Sequence, residues 1–211
     1  MQHFKSFCSA NEAAVRSTPS AFEELSANWS QETDQPELNL MFHARHSDLV
    51  VLGRARNVDL MPNNLIEMLL MGCGRPIVIA PDSPPTSVTG TIVVGWKETC
   101  EAAHALAAAM PLLRRAQKVL LLSIGEGAAG SAGSLDHLTR LLAWHSVAAE
   151  TRLRGDKSNP ATVQLMRTAS ELHAALLVAG GFGHGPSRDS VFGGVTRTLV
   201  ELADLPIFIL H

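Results

Sequence analysis

The amino-acid sequence predicts an α/β protein, with a doubly wound, parallel five-stranded sheet that follows a partial copy of the same unit. Short apolar runs rich in β-branched residues alternate with helical patterns over residues 90–211. That alternation is typical of a parallel sheet with helices on both faces. A strand–helix–strand pattern before residue 82 repeats the end of this series. Sheets of this kind bind ligands beyond the carboxyl ends of their strands, where the strand order reverses.

Residues 88–211 contain every element of a complete domain. Apolar runs predict strands at 91–96, 118–123, 147–153, 174–179 and 205–210. Helical spacing of apolar residues predicts helices at 98–113, 135–145, 160–172 and 191–203. Asn159 is the expected N-cap of the third helix, with Pro160 at its first position. Residues 125–133 are rich in glycine and are predicted as a loop.

Residues 1–82 are interpreted as a truncated first copy of this domain, joined to it by a linker at 83–87. The segments 47–53, 65–73 and 75–80 repeat 173–180, 194–203 and 205–210, with a period of about 127 residues. This copy lacks an opening strand, so its two strands should leave one hydrogen-bonding edge and an apolar face uncovered. We therefore expect self-association, as a homodimer or larger, or packing of this half on the complete domain.

Composition excludes several classes of protein. Lys and Arg number 17 against 20 Asp and Glu, a net charge of -3, and no basic stripe suggests a nucleic-acid partner. No apolar run reaches the length of about 18 residues that a membrane span needs, and residues 1–5 do not resemble a signal peptide. The three cysteines are widely spaced, which does not suit a disulfide framework. We expect a cytoplasmic protein.

A glycine-rich segment, residues 180–196, is the most informative stretch of the chain. It follows a predicted strand and leads into a predicted helix. Glycine allows a backbone to approach a ligand closely, and helix N-termini attract phosphate. Gly193 and Gly194 would each cost a helix about 1 kcal/mol relative to alanine. That cost is understandable if a ligand lies against the backbone, but the glycines alone suit an empty loop equally well.

The spacing Gly180-x-x-Gly183, nine residues and then Gly193 resembles the nucleotide loop of the universal stress protein family, Gly-2x-Gly-9x-Gly-(Ser/Thr). The order of strands and helices matches that Rossmann-like family over 88–211, and in part over 1–82. The resemblance implies a stress-response protein that binds ATP, with Mg²⁺. It favours binding over turnover, so we expect no catalytic residues.

The resemblance also implies which residues meet the nucleotide. Gly180 and Gly183 would line the ribose and phosphates, and the backbone at Gly193 and Gly194 would meet the phosphates. The other expected contacts lie on the adenine side, against the base, or beside these glycines: Gly95, Trp96, Lys97, Ser123, Ile124, Ala179 and Val195.

Two of these positions depart from the family pattern. Gly194 replaces a Ser or Thr, and Lys97 replaces an Asp that accepts hydrogen bonds from the nucleotide. Three outcomes stay open: weaker ATP binding, another phosphorylated ligand, or none. The alternative functions are a dimerisation or interaction module with a degenerate site and a slow ATP hydrolase. Residues 54–64 of the first copy have no such glycine spacing, and we assign them no ligand.

Other polar residues are weaker candidates. His43 and His46 have helical spacing, but no Cys or Glu nearby completes a metal site, and we predict none. His184 and Arg188 of the glycine-rich segment are either phosphate contacts or solvated residues. Cys100 lies near a predicted helix N-terminus, where a thiol pKa tends to fall, but a catalytic thiol also needs a base.

Overall fold

The computed structural model describes residues 1–18, 24–31, 35–53, 65–83, 85–125, 128–155, 159–181 and 204–211. The chain forms two compact units, Met1–Leu40 and Met41–His211. The first contains helix α1 (Gln2–Ala10) and a parallel pair of two-residue strands, β1 (Ala14–Val15) and β2 (Ser26–Ala27). The apolar pattern of the sequence predicts none of these three elements.

Helix α2 (Pro36–Arg45) crosses the boundary between the units, and every later element belongs to the second. These are β3 (Val50–Gly53), α3 (Leu65–Gly72), β4 (Ile77–Ala80), β5 (Thr91–Trp96), α4 (Cys100–Leu113), β6 (Lys118–Ile124), α5 (Ala128–Trp144), β7 (Ala149–Arg154), α6 (Ala161–Glu171), β8 (Leu176–Gly180) and β9 (Ile207–Leu210). Within the described ranges, no helix is long and apolar enough to cross a membrane.

A seven-stranded sheet in the order β3-β4-β9-β8-β5-β6-β7 organises the second unit. The last five strands of that order are mutually parallel and correspond to the five strands predicted for 88–211. The predicted α/β fold class is therefore confirmed. Strand β5 lies between β6 and β8, so the chain moves outward from β5 in both directions. The switch point of the sheet is the carboxyl end of β5.

The N-terminal half joins this sheet through an antiparallel ladder between β4 and β9. Its rungs pair Ile77 with Ile209, Val78 with Phe208 and Ile79 with Ile207. All six side chains are buried. Strands β3 and β4 thus belong to the same continuous sheet as the strands of 88–211, while the division into domains and self-association stay predictions.

The two halves share the same strand register. Val50 donates its amide hydrogen to the carbonyl of Pro76 at 3.0 Å, and Leu177 donates to that of Pro206 at the same distance. The parallel ladders then run rung for rung, from Val50–Ile77 to Gly53–Ala80 in one half and from Leu177–Ile207 to Gly180–Leu210 in the other. The segments that resemble each other in sequence therefore also pair alike.

The corresponding strands β3 and β8 differ at one edge, the edge that does not face β4 or β9. Strand β8 pairs with β5, but no strand of the described residues pairs with the second edge of β3. Val51 of this strand is 62% exposed. The edge and the apolar surface that the sequence analysis expected are both present here.

Two local predictions need correction. Helix α5 begins at Ala128, inside the segment predicted as a loop, because alanine is the strongest helix former and offsets the interspersed glycines. Pro160, not Asn159, is the N-cap of α6, and it provides no side-chain cap. The carbonyl of Asn159 instead accepts a hydrogen bond from Gln164 Nε2 at 2.8 Å. The helix predicted at 191–203 lies outside the described residues.

Phe208 has an exposed fraction of only 2% and lies in the main hydrophobic core, opposite Val78 of β4. We expect Phe208→Ala to lower the free energy of unfolding by about 3–5 kcal/mol, because it removes a large buried side chain and leaves a cavity. Urea denaturation followed by circular dichroism measures this. The control is Phe42→Ala, since Phe42 is 58% exposed and should change stability by no more than about 0.5 kcal/mol. Equal losses in the two variants would contradict the burial of β9.

Candidate functional site

The strand register brings the described candidate residues to one edge of the sheet. Gly95 of β5 pairs with Ala179 of β8, and Trp96 of β5 pairs with Ser123 of β6. The residues that share this carboxyl edge are Gly95, Trp96, Ser123, Ile124, Ala179 and Gly180. The edge is also the switch point of the sheet, so the sequence analysis located the candidate site where the topology favours ligand binding.

The rest of the predicted site lies outside the described residues. This group comprises Gly183, Gly193, Gly194 and Val195, together with His184 and Arg188. The assignment of these residues to a phosphate loop stays a prediction from the sequence.

Trp96 is held by helix α5. Its indole Nε1 donates a hydrogen bond to Ser134 Oγ at 2.9 Å, and its ring packs partly buried against the core. Gly95, on the opposite face of β5, allows helix α6 to approach closely: a Cβ atom there would lie 3.0 Å from Leu165 Cδ2. Both residues at the end of β5 are therefore fixed by neighbouring helices.

Gly180 is required by the close approach of α4 to β8. A Cβ atom at this position would lie 2.6 Å from the backbone nitrogen of Ala102 and 2.7 Å from the carbonyl carbon of Glu101. Backbone atoms cannot move aside as a flexible side chain can. The first glycine of the loop motif therefore has a packing role, whatever its role toward a ligand.

Helix α4 begins at this edge. Thr99 is its N-cap, and the Thr99 hydroxyl accepts a hydrogen bond from the Ala102 amide at 3.4 Å. Lys97 lies between β5 and this cap with an exposed side chain, and its carbonyl accepts a hydrogen bond from the Thr99 amide at 2.8 Å. Cys100 is exposed at the first helical position, and all three cysteines of the chain are free.

Glu101 is a charged residue of this edge that the sequence analysis missed. Its exposed fraction is only 4%. Burial raises the pKa of Glu101, but hydrogen bonds from its own amide, Thr99 and Cys100 and the electrostatic effect of His211 outweigh it. The net result is a pKa below the ordinary value of 4.5. An acidic residue in the first turn after a Thr cap was the available signal, because the helix dipole favours negative charge there.

His211 is the second residue that the sequence analysis missed. Its Nδ1 lies 3.0 Å from the carbonyl oxygen of Gly181, and the Gly181 amide donates to the carbonyl of Leu210 at 2.8 Å. Gly181, which follows β8, is thus hydrogen-bonded to the last residue of β9 and to the residue after it. No local sequence pattern could have identified this pair, because its members are far apart in the chain.

His43 of α2 and His46, which follows the helix, form no metal centre with the residues described. His46 Nδ1 lies 2.7 Å from the carbonyl oxygen of Phe42, and the His46 ring lies 4.4 Å from the Phe42 ring. Nowhere in the described ranges do three or more His, Cys, Asp or Glu side chains form a group that could hold a metal ion.

The fold and the position of the site define a Rossmann-like α/β protein with a candidate ligand site at its switch point. Solved structures that share this fold include universal stress proteins. One from Archaeoglobus fulgidus has a TM-score of 0.67 and 13% identity, over 90% of this chain and 69% of its own. A protein from Pseudomonas aeruginosa that is assigned to the same family has a TM-score of 0.64 and 11% identity, over 99% of this chain and 77% of its own.

A shorter relative covers only part of the chain. The UspA universal stress protein of Lactobacillus plantarum has a TM-score of 0.52 and 15% identity, over 60% of this chain and all of its own. Neither a protein-family model nor a curated protein matches the sequence. At these identities the likeness shows the fold, and the activity has to be argued from the site.

Gly180 and Gly53 form a matched pair, because they end corresponding strands in the two halves. A Cβ atom at Gly53 would have nothing within 4 Å, whereas one at Gly180 would overlap the backbone of α4. We expect Gly180→Ala to lower the free energy of unfolding by about 1–3 kcal/mol. Gly53→Ala should leave it unchanged or raise it by up to about 1 kcal/mol, because alanine restricts the unfolded chain. Urea denaturation compares them, and equal effects would contradict the close packing of α4 on β8.

The lowered pKa of Glu101 predicts a dependence of stability on pH. The folded state binds a proton at Glu101 more weakly than the unfolded state does. The contribution of Glu101 is therefore complete above the unfolded pKa of about 4.5, and is lost as the pH falls through the folded value. We expect Glu101→Gln to flatten the loss of stability below about pH 5, measured by urea denaturation between pH 3 and pH 7.

The control for this pH series is Glu98→Gln, which removes one acidic charge from an exposed side chain of the same edge. If Glu98→Gln reduced the loss of stability at low pH as much as Glu101→Gln, the effect would reflect net charge and not the buried carboxylate.

Proposed function

We propose that this chain is a nucleotide-binding protein of the universal stress protein type, which takes ATP, with its Mg²⁺, at the carboxyl edge of β5, β6 and β8 and acts in a stress response. The observation that carries the proposal is a coincidence of topology and sequence. The switch point lies at the end of β5, and the motif Gly180-x-x-Gly183-x9-Gly193 begins at the end of the adjacent strand β8. Glycine backbone followed by a helix N-terminus suits phosphate.

Lys97 affects which class of ligand this site would bind. Its exposed side chain follows β5 at this edge, so a cation stands where the related nucleotide sites have a carboxylate. A lysine can pair with phosphate but cannot accept a hydrogen bond from ribose or adenine. ATP and a smaller phosphorylated molecule are therefore the two ligand classes to compare. Mg²⁺ would arrive on the phosphates of the nucleotide.

The proposal extends to the organisation of the chain. We infer a tandem protein with a truncated first domain at 1–82 and a complete one at 88–211. The matching ladders β3–β4 and β8–β9 support this, and so does the way β4 and β9 pair around Val78 and Phe208. The first copy takes no ligand, since residues 54–64 lack the glycine spacing. Three free cysteines suit a cytoplasmic protein.

An interaction module with a degenerate site is the second candidate. The unpaired edge of β3 and the exposed Val51 favour it, because open edges and apolar surfaces pair with other chains. Nucleotide recovered from the purified, denatured protein by mass spectrometry would favour binding over this module. Phosphate released steadily from added ATP would instead favour the slow hydrolase.

Gly193→Val tests the loop. If the backbone at Gly193 lies against phosphate, a branched side chain there blocks the ligand and spares the sheet. At 100-fold saturation, ATP should stabilise the parent by about 2.7 kcal/mol, and Gly193→Val should lose this gain. Thermal denaturation with and without ATP and Mg²⁺ measures it.

Gly53→Val is the control for this experiment, because β3 is separated from β8 by two strands and Gly53 has open space beside it. It should retain the full shift of melting temperature with ATP. Equal shifts in the parent and Gly193→Val would rule out the loop as the ATP site, and no shift in the parent would overturn ATP binding itself.

A further inference from the structure

We propose that His211 is a positioning residue for the nucleotide site, because it helps to fix the point at which the glycine-rich segment leaves β8. This inference rests on the proposed function. His211 does not belong to the glycine motif. The chain leaves the sheet at Gly180 and Gly181.

Both polar backbone groups of Gly181, the amide and the carbonyl, have hydrogen-bond partners. Its amide donates to the carbonyl of Leu210 at 2.8 Å, and its carbonyl lies 3.0 Å from Nδ1 of His211. Since a carbonyl oxygen only accepts, Nδ1 carries the proton in this contact, which fixes the tautomer of a neutral imidazole. Leu210 and His211 thus hold the backbone of Gly181, the last described residue before the glycine-rich segment continues.

Packing adds to these hydrogen bonds. A Cβ atom on Gly181 would lie 2.7 Å from Leu70 Cδ2 of α3 and 3.3 Å from Ile209 Cγ1 of β9. On the other side, Gly180 lies directly against the backbone of Glu101 and Ala102. The two glycines are therefore enclosed by α3, β9 and α4, and little space is left for the exit point to shift.

Glu101 lies on the α4 side of this enclosure, where it is buried and its backbone lies against Gly180. His211 acts on the exit point through its contact with Gly181.

The consequence for binding follows from geometry. Backbone groups that recognise a phosphate have to be held within about 0.5 Å of their productive positions. Removal of the His211 donor would leave a buried carbonyl without this partner and allow the exit point to move. We expect His211→Leu to weaken ATP binding at least ten-fold and to change the melting temperature little.

The experiment compares three variants by titration calorimetry with ATP and Mg²⁺ and by amide hydrogen exchange of the nucleotide-free protein. His211→Leu should bind at least ten-fold more weakly and exchange the Gly181 amide faster. His211→Asn places an N–H close to the position of Nδ1 and should recover most of both properties. His145→Leu is the control, since His145 is exposed and follows α5.

The outcomes distinguish the positioning role of His211 from the proposed nucleotide-binding function on which it rests. A parent that binds no ATP overturns the proposed function, and the positioning role with it. A parent that binds ATP while His211→Leu binds it equally well overturns the positioning role alone, even if exchange at Gly181 is faster. Equal weakening in His211→Leu and His211→Asn also overturns it, because the hydrogen bond to Gly181 would then not be the cause.

Discussion

The antiparallel ladder between β4 and β9 is the contact on which the rest of the structure depends. Without it, two strands rich in isoleucine would each present an open edge, and such edges pair with other chains. The ladder buries Ile77 and Ile79 of β4 against β9 and makes one sheet from two halves. It also fixes β9, and with it the residues against which Gly181 is held. Ile209 belongs both to this ladder and to the surroundings of Gly181, so the two are directly connected through β9.

Glycines at the carboxyl edge have packing reasons that are independent of any ligand. Gly95 faces Leu165 of α6, Gly180 faces the backbone of α4, and Gly181 faces Leu70 of α3. Each of these three contacts would be too close for a Cβ atom to be added freely. Glycines at these positions therefore let helices approach the strand ends. The effect of substituting one of them on ligand binding has to be separated from its effect on packing.

The strands of the second unit could be predicted from sequence because their signal is local. The run from Thr91 to Trp96 is buried on both faces, and its apolar composition reports that directly. Features escaped prediction for two reasons. Helix α5 begins early because alanine prevails over glycine, a local preference that the glycine-rich composition concealed. The first unit depends on contacts between residues far apart in the chain, such as that between the Phe4 and Trp29 rings, 5.4 Å apart. The contact of His211 with Gly181 likewise joins residues that no short motif connects.

The charges at the edge indicate where a phosphorylated ligand would bind. The N-terminus of α4 is at the switch point and would attract an anion, but the buried carboxylate of Glu101 already occupies its first turn. A phosphate brought to the same turn would meet a like charge in a poorly solvated place, which is unfavourable. Lys97 offers positive charge beside this turn and is exposed. If the proposed ligand binds at this edge, these charges favour a phosphate position beside Lys97 over one at the first turn of α4.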